Sequence, residues 1–453
     1  MPVVKNNVNP GGIVLIRNKL GGVHPRGMKG TAGFKPVELP VPAFVHIPMS
    51  MHSGKPAKVI VKAGDEVKVG QLIGEAEAYV CAPVHSSVSG KVKSVAEIDS
   101  ITGKKAVTVT IESDGKQTPY EGLAPPVVTD YKEFLAAVRA SGVVGLGGAG
   151  FPTEVKLTVK NLDKLDYILI NGAECEPYIT SDMRTMVDDT DYMWEGICQL
   201  KKHLKPKEIL VCIEDNKPEA IEKVKKLCAD AEGIDVRVLA SSYPQGERKV
   251  MVYNVTKRIV PEGARLTDVG CLVNNCTTAA VIGKYIKTGM PLVSKVITVD
   301  GSAVNDPKNV IVPLGTHIKD VFEFCGGLKD DVGLVLFGGP MMGVAAPSLE
   351  IPIVKISNAV LAFSNKDVLR CVETPCIRCG RCGFACPMHL SPMEAETAFY
   401  LKNPERLETL KVNLCIECGC CAYVCPAKRP LVQVMKLSND DLWNFKEARK
   451  AKG

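Results

Sequence analysis

The sequence predicts a multidomain chain of mixed α/β and α+β class, on three observations. First, 453 residues and 48.7 kDa exceed what one hydrophobic core supports, so two to four domains are expected. Second, the apolar patterning changes along the chain: short alternating runs near the N-terminus, helical spacing interleaved with buried-looking strands in the middle, then valine-rich strands. Third, eight of the 18 cysteines fall into two matching series near the C-terminus. A net charge of +6 is mild for this length, and the Lys and Arg residues are scattered, which gives nucleic-acid binding no support. The opening MPVVKNNVNPGGIVLIRNKLGG lacks the charged start, apolar core and small-residue cleavage site of a secretory signal. Within the longest uncharged run, Gly333 to Leu349 hold four glycines and two prolines in seventeen residues, too broken to span a bilayer. Membrane contact is therefore expected only through partners.

From Val45 to Val95, short alternating strands are punctuated by AGD, VG and SG turns. This stretch resembles the barrel-sandwich fold of biotinyl and lipoyl carriers. A carrier presents a lysine at a hairpin tip. The corresponding GEAEAYVCAPV has none, so the segment reads as a docking or structural module. His46, His52 and His85 read as surface or hydrogen-bonded histidines rather than ligands.

The stretch GVVGLGGAGFPTEVKL, Gly142 to Leu157, satisfies the G-x-G-x-x-G expression through Gly145, Gly147 and Gly150. A dinucleotide fingerprint needs a strand before it, yet YKEFLAAVRASG has helical spacing and leaves only Val143 and Val144 for one. Phe151-Pro152-Thr153 can open a helix with Pro152 in its first turn, placing Lys156 one turn in, beside any phosphate held by the loop amides. A glycine-rich structural turn is the alternative. After the apolar strand LDYILI (165–170) comes NGAECEPYITSDMR, with Asn171, Glu174 and Glu176 at the strand's C-terminal end, where α/β folds place ligands. SSYPQGERK follows with Tyr243, Gly246 and Glu247, then CLVNNCTTAA with Asn274, Asn275, Thr277 and Thr278.

GLGGAGFPTEVKL, NGAECEP, Y-x-x-G-E and the Asn-Asn-x-x-Thr run, in that order, resemble the flavin- and NADH-binding subunit of respiratory complex I. With the N- and C-terminal parts included, the chain resembles the RnfC subunits of Rnf complexes, the ion-translocating ferredoxin:NAD+ oxidoreductases. The resemblance implies a Rossmann-like FMN/NADH domain of complex I type. In it Gly145, Gly147, Gly148 and Gly150 with Lys156 would hold the FMN phosphate, and Phe151 would also bind the cofactor. Asn171, Asn274, Asn275 and Thr277 would bond the ribityl chain and isoalloxazine edge, and Glu174, Glu176, Tyr243 and Glu247 would shape the nicotinamide pocket, the three glutamates as catalytic residues. Three positions depart from the complex I pattern: Leu146 stands for its usual Arg, Cys175 for its Ser, and Cys276-Thr277-Thr278 for its Val-Glu-Thr.

Pro291 to Leu361 alternates valine-rich strands with PLG and GGP turns and looks like the β-grasp (SLBB) module beside the flavin domain in complex I relatives, a spacer setting flavin against clusters. The cysteine series are Cys376, Cys379, Cys382, Cys386 and Cys415, Cys418, Cys421, Cys425, both C-x2-C-x2-C-x3-C-P. Three thiolates at steps of three wrap one cube, and the fourth, before a proline, points to the neighbouring cube. Cys376, Cys379, Cys382 and Cys425 would thus hold one [4Fe–4S] cluster, and Cys415, Cys418, Cys421 and Cys386 the other. Structural zinc is the alternative, but it gives no reason for a third Cys and a Cys-Pro repeated twice. Cys371 and Cys420 are spare, and Ser391, Pro392 and Glu394 are placed to form a capping box opening a helix between the loops. The tail KEARKAKG is a charge run expected to fray.

The expected domains are a barrel-sandwich hybrid (1–120), the FMN/NADH domain (121–288), the β-grasp module (289–365) and a helical two-cluster ferredoxin-like domain (366–453). The resemblance implies a peripheral subunit on the cytoplasmic face of the membrane, passing electrons between NADH and ferredoxin through FMN and the clusters. Its partners would be integral membrane and ferredoxin-like Rnf subunits, with Na+ or H+ movement coupled elsewhere in the complex. A microcompartment-associated cobalamin reductase and a non-enzymatic electron relay are the alternatives.

Overall fold

The computed structural model describes residues 15–101, 103–369 and 372–451. Cys371 and the first fourteen residues of the opening segment lie outside these. Four sheets and a helical C-terminal unit make up the chain.

Near the N-terminus a four-stranded antiparallel sheet is built on the hairpin Gly90–Asp99 and Lys105–Ser113, and a three-stranded one on Lys58–Val59, Leu72–Glu75 and Val84–His85. Their facing side chains, Val45, Ile47, Ile73, Val84 and Val109 among them, are buried. The alternation read from the sequence is thus an inside–outside alternation. His46 bonds Thr110 Oγ1 and stacks on His317, and His52 bonds the Lys55 carbonyl. His85 is buried rather than on the surface, and its Nδ1 has no hydrogen-bond partner among the described residues.

The central unit is a parallel sheet in the order Ile234–Leu239, Glu208–Glu214, Tyr167–Gly172, Cys271–Asn275. Its strands are apolar runs because helices cover both faces. The order reverses between Tyr167–Gly172 and Cys271–Asn275, so a crevice opens at their C-terminal ends, with Asn171 paired in register to Asn275. Behind it the helices Thr190–Leu204 and Cys276–Thr288 cross at contact distance: a Cβ on Gly196 would lie 1.9 Å from the Ala279 carbonyl oxygen, and one on Gly283 2.0 Å from that of Tyr192.

The third unit is a six-stranded mixed sheet over the helix Ile318–Phe324. Its edge strand is Val37–Glu38, which arrives from far upstream to pair parallel with Lys308–Pro313. The apolar interiors of these units run into one another, with Val84, Val144, Leu146, Leu292 and Leu314 in one continuous cluster.

The C-terminal unit has its own small core, including Leu390, Leu407, Val412, Met435 and Leu442. Pro392 does open a helix, Pro392–Tyr400, with Ser391 at its cap, but the capping box does not form: Glu394 is drawn outward by Arg406 at 2.6 Å. The tail is also more ordered than expected. The helix Leu431–Lys450 runs almost to the end, with Lys446 and Arg449 paired to Glu408. Among the described residues no helix is long and apolar enough to cross a membrane.

Replacing Gly196 with Ala is expected to force the two crossing helices apart and cost about 1–3 kcal/mol of stability or more. Thermal denaturation checks it, and an unchanged midpoint would show that the crossing tolerates a methyl group.

Candidate functional site

The glycine loop lies against the crevice at the strand reversal. The helix Tyr131–Ala140 delivers the chain to it and the helix Thr153–Leu157, with Pro152 at its cap, carries it away. Its neck is closed by hydrogen bonds from Gly145 N to Phe151 O (2.8 Å) and Gly150 N to Gly145 O (3.0 Å). Leu146 N donates to Thr278 Oγ1 (3.0 Å), and Ser53, from the N-terminal unit, donates through Oγ to Ala149 O (2.8 Å). Gly147, Gly148 and Ala149 form the exposed rim, and among the described residues their amides have no protein acceptor. A Cβ on Gly148 would meet nothing within 4 Å, and its φ of +113° favours glycine. A Cβ on Gly147 would come within 3.4 Å of the Asn275 side chain, so the loop rests on the second asparagine of the NN pair.

Lys156 reaches across to the same place, donating to Asn274 Oδ1 (2.7 Å). Desolvation, then repulsion by Arg248, brings its pKa down to about 8. Asn274 is buried, and its Nδ2 has no partner among the described residues. Three rim amides, an ammonium and an amide donor, carried by the loop and by the end of the strand it rests on, make a donor set that an anionic, hydrogen-bond-accepting ligand would match. FMN fits that donor set.

The remaining predicted residues frame the crevice. Asn171 spans from Gly246 O to Ala173 N, fixing the Tyr243–Gly246 turn. Asn275 and Thr277 are both taken by Asp182, at 2.8 and 2.6 Å, and Asn275 Oδ1 also caps its helix by accepting from Thr278 N. Glu174 has a left-handed backbone, φ +47°, and accepts from Asp182 N (2.6 Å). Burial pushes its carboxyl up to about 7, against the pull of Lys29. Glu176 accepts from the amides of Met341 (3.0 Å) and Met342 (2.8 Å), so its carboxylate faces the Gly338–Gly343 turn of the third unit. Desolvation raises it, too, to about 7. Glu247 caps the helix Arg248–Thr256 by accepting from Lys249 N and Val250 N, and burial raises its pKa.

Tyr243 is buried, its hydroxyl unpartnered among the described residues, in an apolar group with Cys175, Met341, Cys418 and Cys420. That group joins the crevice to the cysteines. Cys386, Cys415, Cys418 and Cys421 line one cavity, and Cys376, Cys379, Cys382 and Cys425 line another. The fourth cysteine of each series thus lines the cavity of the other set. Cys420 turns its thiol toward the Tyr243 carbonyl (3.9 Å), in line with a packing role. The two sets differ in environment: Cys418 and Cys421 are buried, whereas Cys376 and Cys379 are exposed.

Sequence reasoning missed Lys29, whose Nζ gathers the carbonyls of Glu174, Glu176 and Ile179, and gave Asp182 and Arg248 no role. Asp182 was within reach, lying inside the NGAECEPYITSDMR stretch. Lys29 carries no local signal, because its partners are about 150 residues away.

Residues 138–284 match the Nuo51 FMN-binding domain family, residues 18–116 the RnfC barrel sandwich hybrid domain, and residues 296–345 the SLBB domain. The chain is 42% identical over 83% of its length to the C subunit of the proton-translocating ferredoxin:NAD(+) oxidoreductase complex of Clostridium ljungdahlii, covering 83% of that protein. It is 37% identical over 82% of its length to the C subunit of the Na(+)-translocating ferredoxin:NAD(+) oxidoreductase complex of Acetobacterium woodii, covering 85% of it. It is 36% identical over 93% to the C subunit of the ion-translocating oxidoreductase complex of Rhodobacter capsulatus, covering 82%.

The raised carboxyl of Glu176 gives a pH signature. Its pKa moves from an ordinary 4.5 to about 7 on folding, so between those values the folded state holds a proton that the unfolded state has lost, and stability falls as pH rises. Glu176→Gln removes this slope. The variant is expected to gain about 1–3 kcal/mol on the wild type between pH 5 and pH 8, and parallel denaturation curves at the two pH values would contradict the assignment.

Proposed function

Because this chain belongs to the RnfC family, the C subunits of ion-translocating ferredoxin:NAD+ oxidoreductase complexes, we propose that it passes electrons between NADH and ferredoxin, with Na+ or H+ translocated by other subunits. FMN would sit on the Gly145–Gly150 loop, and two [4Fe–4S] clusters in the two cysteine-lined cavities. The observation that carries the reading is the donor set at the strand reversal: the unpartnered rim amides of Gly147, Gly148 and Ala149 on a loop resting on Asn275, and Lys156 Nζ on Asn274, whose Nδ2 is unpartnered among the described residues. When bound, FMN accepts a hydride as two electrons and releases them singly, and the clusters carry single electrons.

The chain's own residues bind, orient and insulate. Lys156 and the rim amides fix the phosphate, and Asn274 supplies one further donor. Asp182 and Asn171 hold the crevice walls, and Tyr243 with Met341 keeps water from the path to Cys418 and Cys420. The buried set around Cys418 and Cys421 lies beside that path, so it is the inner cluster site, and the exposed set around Cys376 and Cys379 is the outlet to a partner. Four cysteines on each cavity, in two C-x2-C-x2-C-x3-C-P series with the fourth exchanged, suit cubes better than zinc, which needs only two spaced pairs. Identities of 36–42% to C subunits favour this function over a corrinoid reductase. With no spanning helix among the described residues, attachment at the cytoplasmic face would run through the other subunits.

Anaerobic titration of the reconstituted protein with NADH should bleach the flavin absorbance and then the cluster absorbance, with about eight iron atoms per chain. A flavin that stays oxidised would refute NADH oxidation, and zinc in place of iron would refute the wire. Gly148→Val places a side chain in the space assigned to phosphate. It should leave a folded protein that retains at least tenfold less FMN after gel filtration, and unchanged retention would count against the loop as the phosphate site.

A further inference from the structure

Two buried lysines of the third unit lie under the glycine loop, outside the donor set described above. Lys295, on the strand Ser294–Asp300, is 5% exposed, and its Nζ donates to Leu146 O (3.2 Å), Lys355 O (3.1 Å) and Asn358 Oδ1. Lys355 is 0% exposed and donates to Pro83 O (2.7 Å) and Gly142 O (2.6 Å). Three acceptors around Lys295 match the three N–H bonds of an ammonium, so its surroundings are built for the charged form.

Their charge is not balanced by an ion pair among the described residues. The ionisable group facing Lys295 is Asp182, already shared between Asn275 and Thr277. Those facing Lys355 are Cys81, His52 and His85, and burial with the lysine's repulsion keeps both histidines neutral, at about 4 and about 3. Desolvation brings each lysine down to about 7. Uncompensated buried cations are costly until an anion completes the site.

The geometry supplies a connection to one. The Leu146–Gly147 peptide has its carbonyl oxygen on Lys295, and its N–H, on the opposite edge of the planar group, is the first unpartnered amide of the rim. Lys355, whose own carbonyl Lys295 also holds, anchors the chain entering the loop at Gly142.

We propose that Lys295, braced by Lys355, is a positioning residue for the phosphate of the bound flavin nucleotide, aiming and polarising the Gly147 amide from beneath and taking up a proton when the dianion arrives. The proposal rests on the FMN reading above. It gives the third unit a part in cofactor binding beyond that of a spacer.

The test titrates the full-length apoprotein with FMN at pH 8, where the phosphate is already a dianion. Flavin fluorescence follows binding, and calorimetry in two buffers of different ionisation enthalpy follows protons. Riboflavin, lacking the phosphate, and inorganic phosphate alone are the controls. The wild type should take up protons with FMN and not with riboflavin, and inorganic phosphate should compete. Lys295→Met should bind FMN at least tenfold more weakly, with proton uptake lowered and riboflavin binding unchanged. Lys295→Arg, whose guanidinium stays charged, should restore affinity without restoring the uptake. A folded Lys295→Met with wild-type affinity and uptake overturns the proposal. Should that variant not fold, the wild type decides: FMN binding without proton uptake overturns this inference alone, whereas no FMN binding at all refutes the flavin reading and this inference with it.

Discussion

Buried ammonium groups that gather main-chain carbonyls hold the centre of this molecule together. Where the sheets meet, the chain runs as irregular backbone, and a buried carbonyl without a strand neighbour must find a donor or cost roughly 1–3 kcal/mol. Lys29 takes the carbonyls of Glu174, Glu176 and Ile179, Lys217 that of Ala173, and Lys295 and Lys355 those of Leu146 and Gly142. A lysine suits the task because it brings three rotatable donors on a thin stem. The same arrangement concentrates positive charge under and around the crevice.

That crevice is set by topology. Reversal of strand order beside Tyr167–Gly172 leaves the ends of two adjacent strands uncovered, and the sequence places Asn171, Asn274 and Asn275 there. Glu176 then spans to the Met341–Met342 turn, and Met341 packs with Cys418 and Cys420. A Cβ on Gly419 would lie 2.8 Å from the Met341 carbonyl oxygen, so the inner cysteine loop is pressed against the turn that the crevice carboxylate holds. Crevice, turn and cysteines form one packed sequence of contacts without a solvent gap being needed between them.

Much of this was legible in the sequence because the signals were local. Apolar strand runs and two identically spaced cysteine series each report on their own few residues, as does Pro152, which stands at the cap of the helix Thr153–Leu157 rather than in its first turn. Failures came where a distant partner won. Glu394 left its capping box for Arg406, and the charged tail continues a helix already packed through Leu431, Met435 and Leu442, with Glu408 as its counter-charge. Lys295 and Lys355 did leave a trace: each is a lone charge in a valine- and isoleucine-rich run, PLVSKVITV and IPIVKISNAV, which a buried role fits.

The parallel pairing of Val37–Glu38 with Lys308–Pro313 joins segments some 270 residues apart in the chain. During synthesis the early strand therefore emerges from the ribosome long before its neighbour exists, and its edge stays open until the third sheet is made. The two cysteine series come off later still. Maturation thus has a built-in timetable, in which the protein scaffold can close before the cysteine-lined cavities are made.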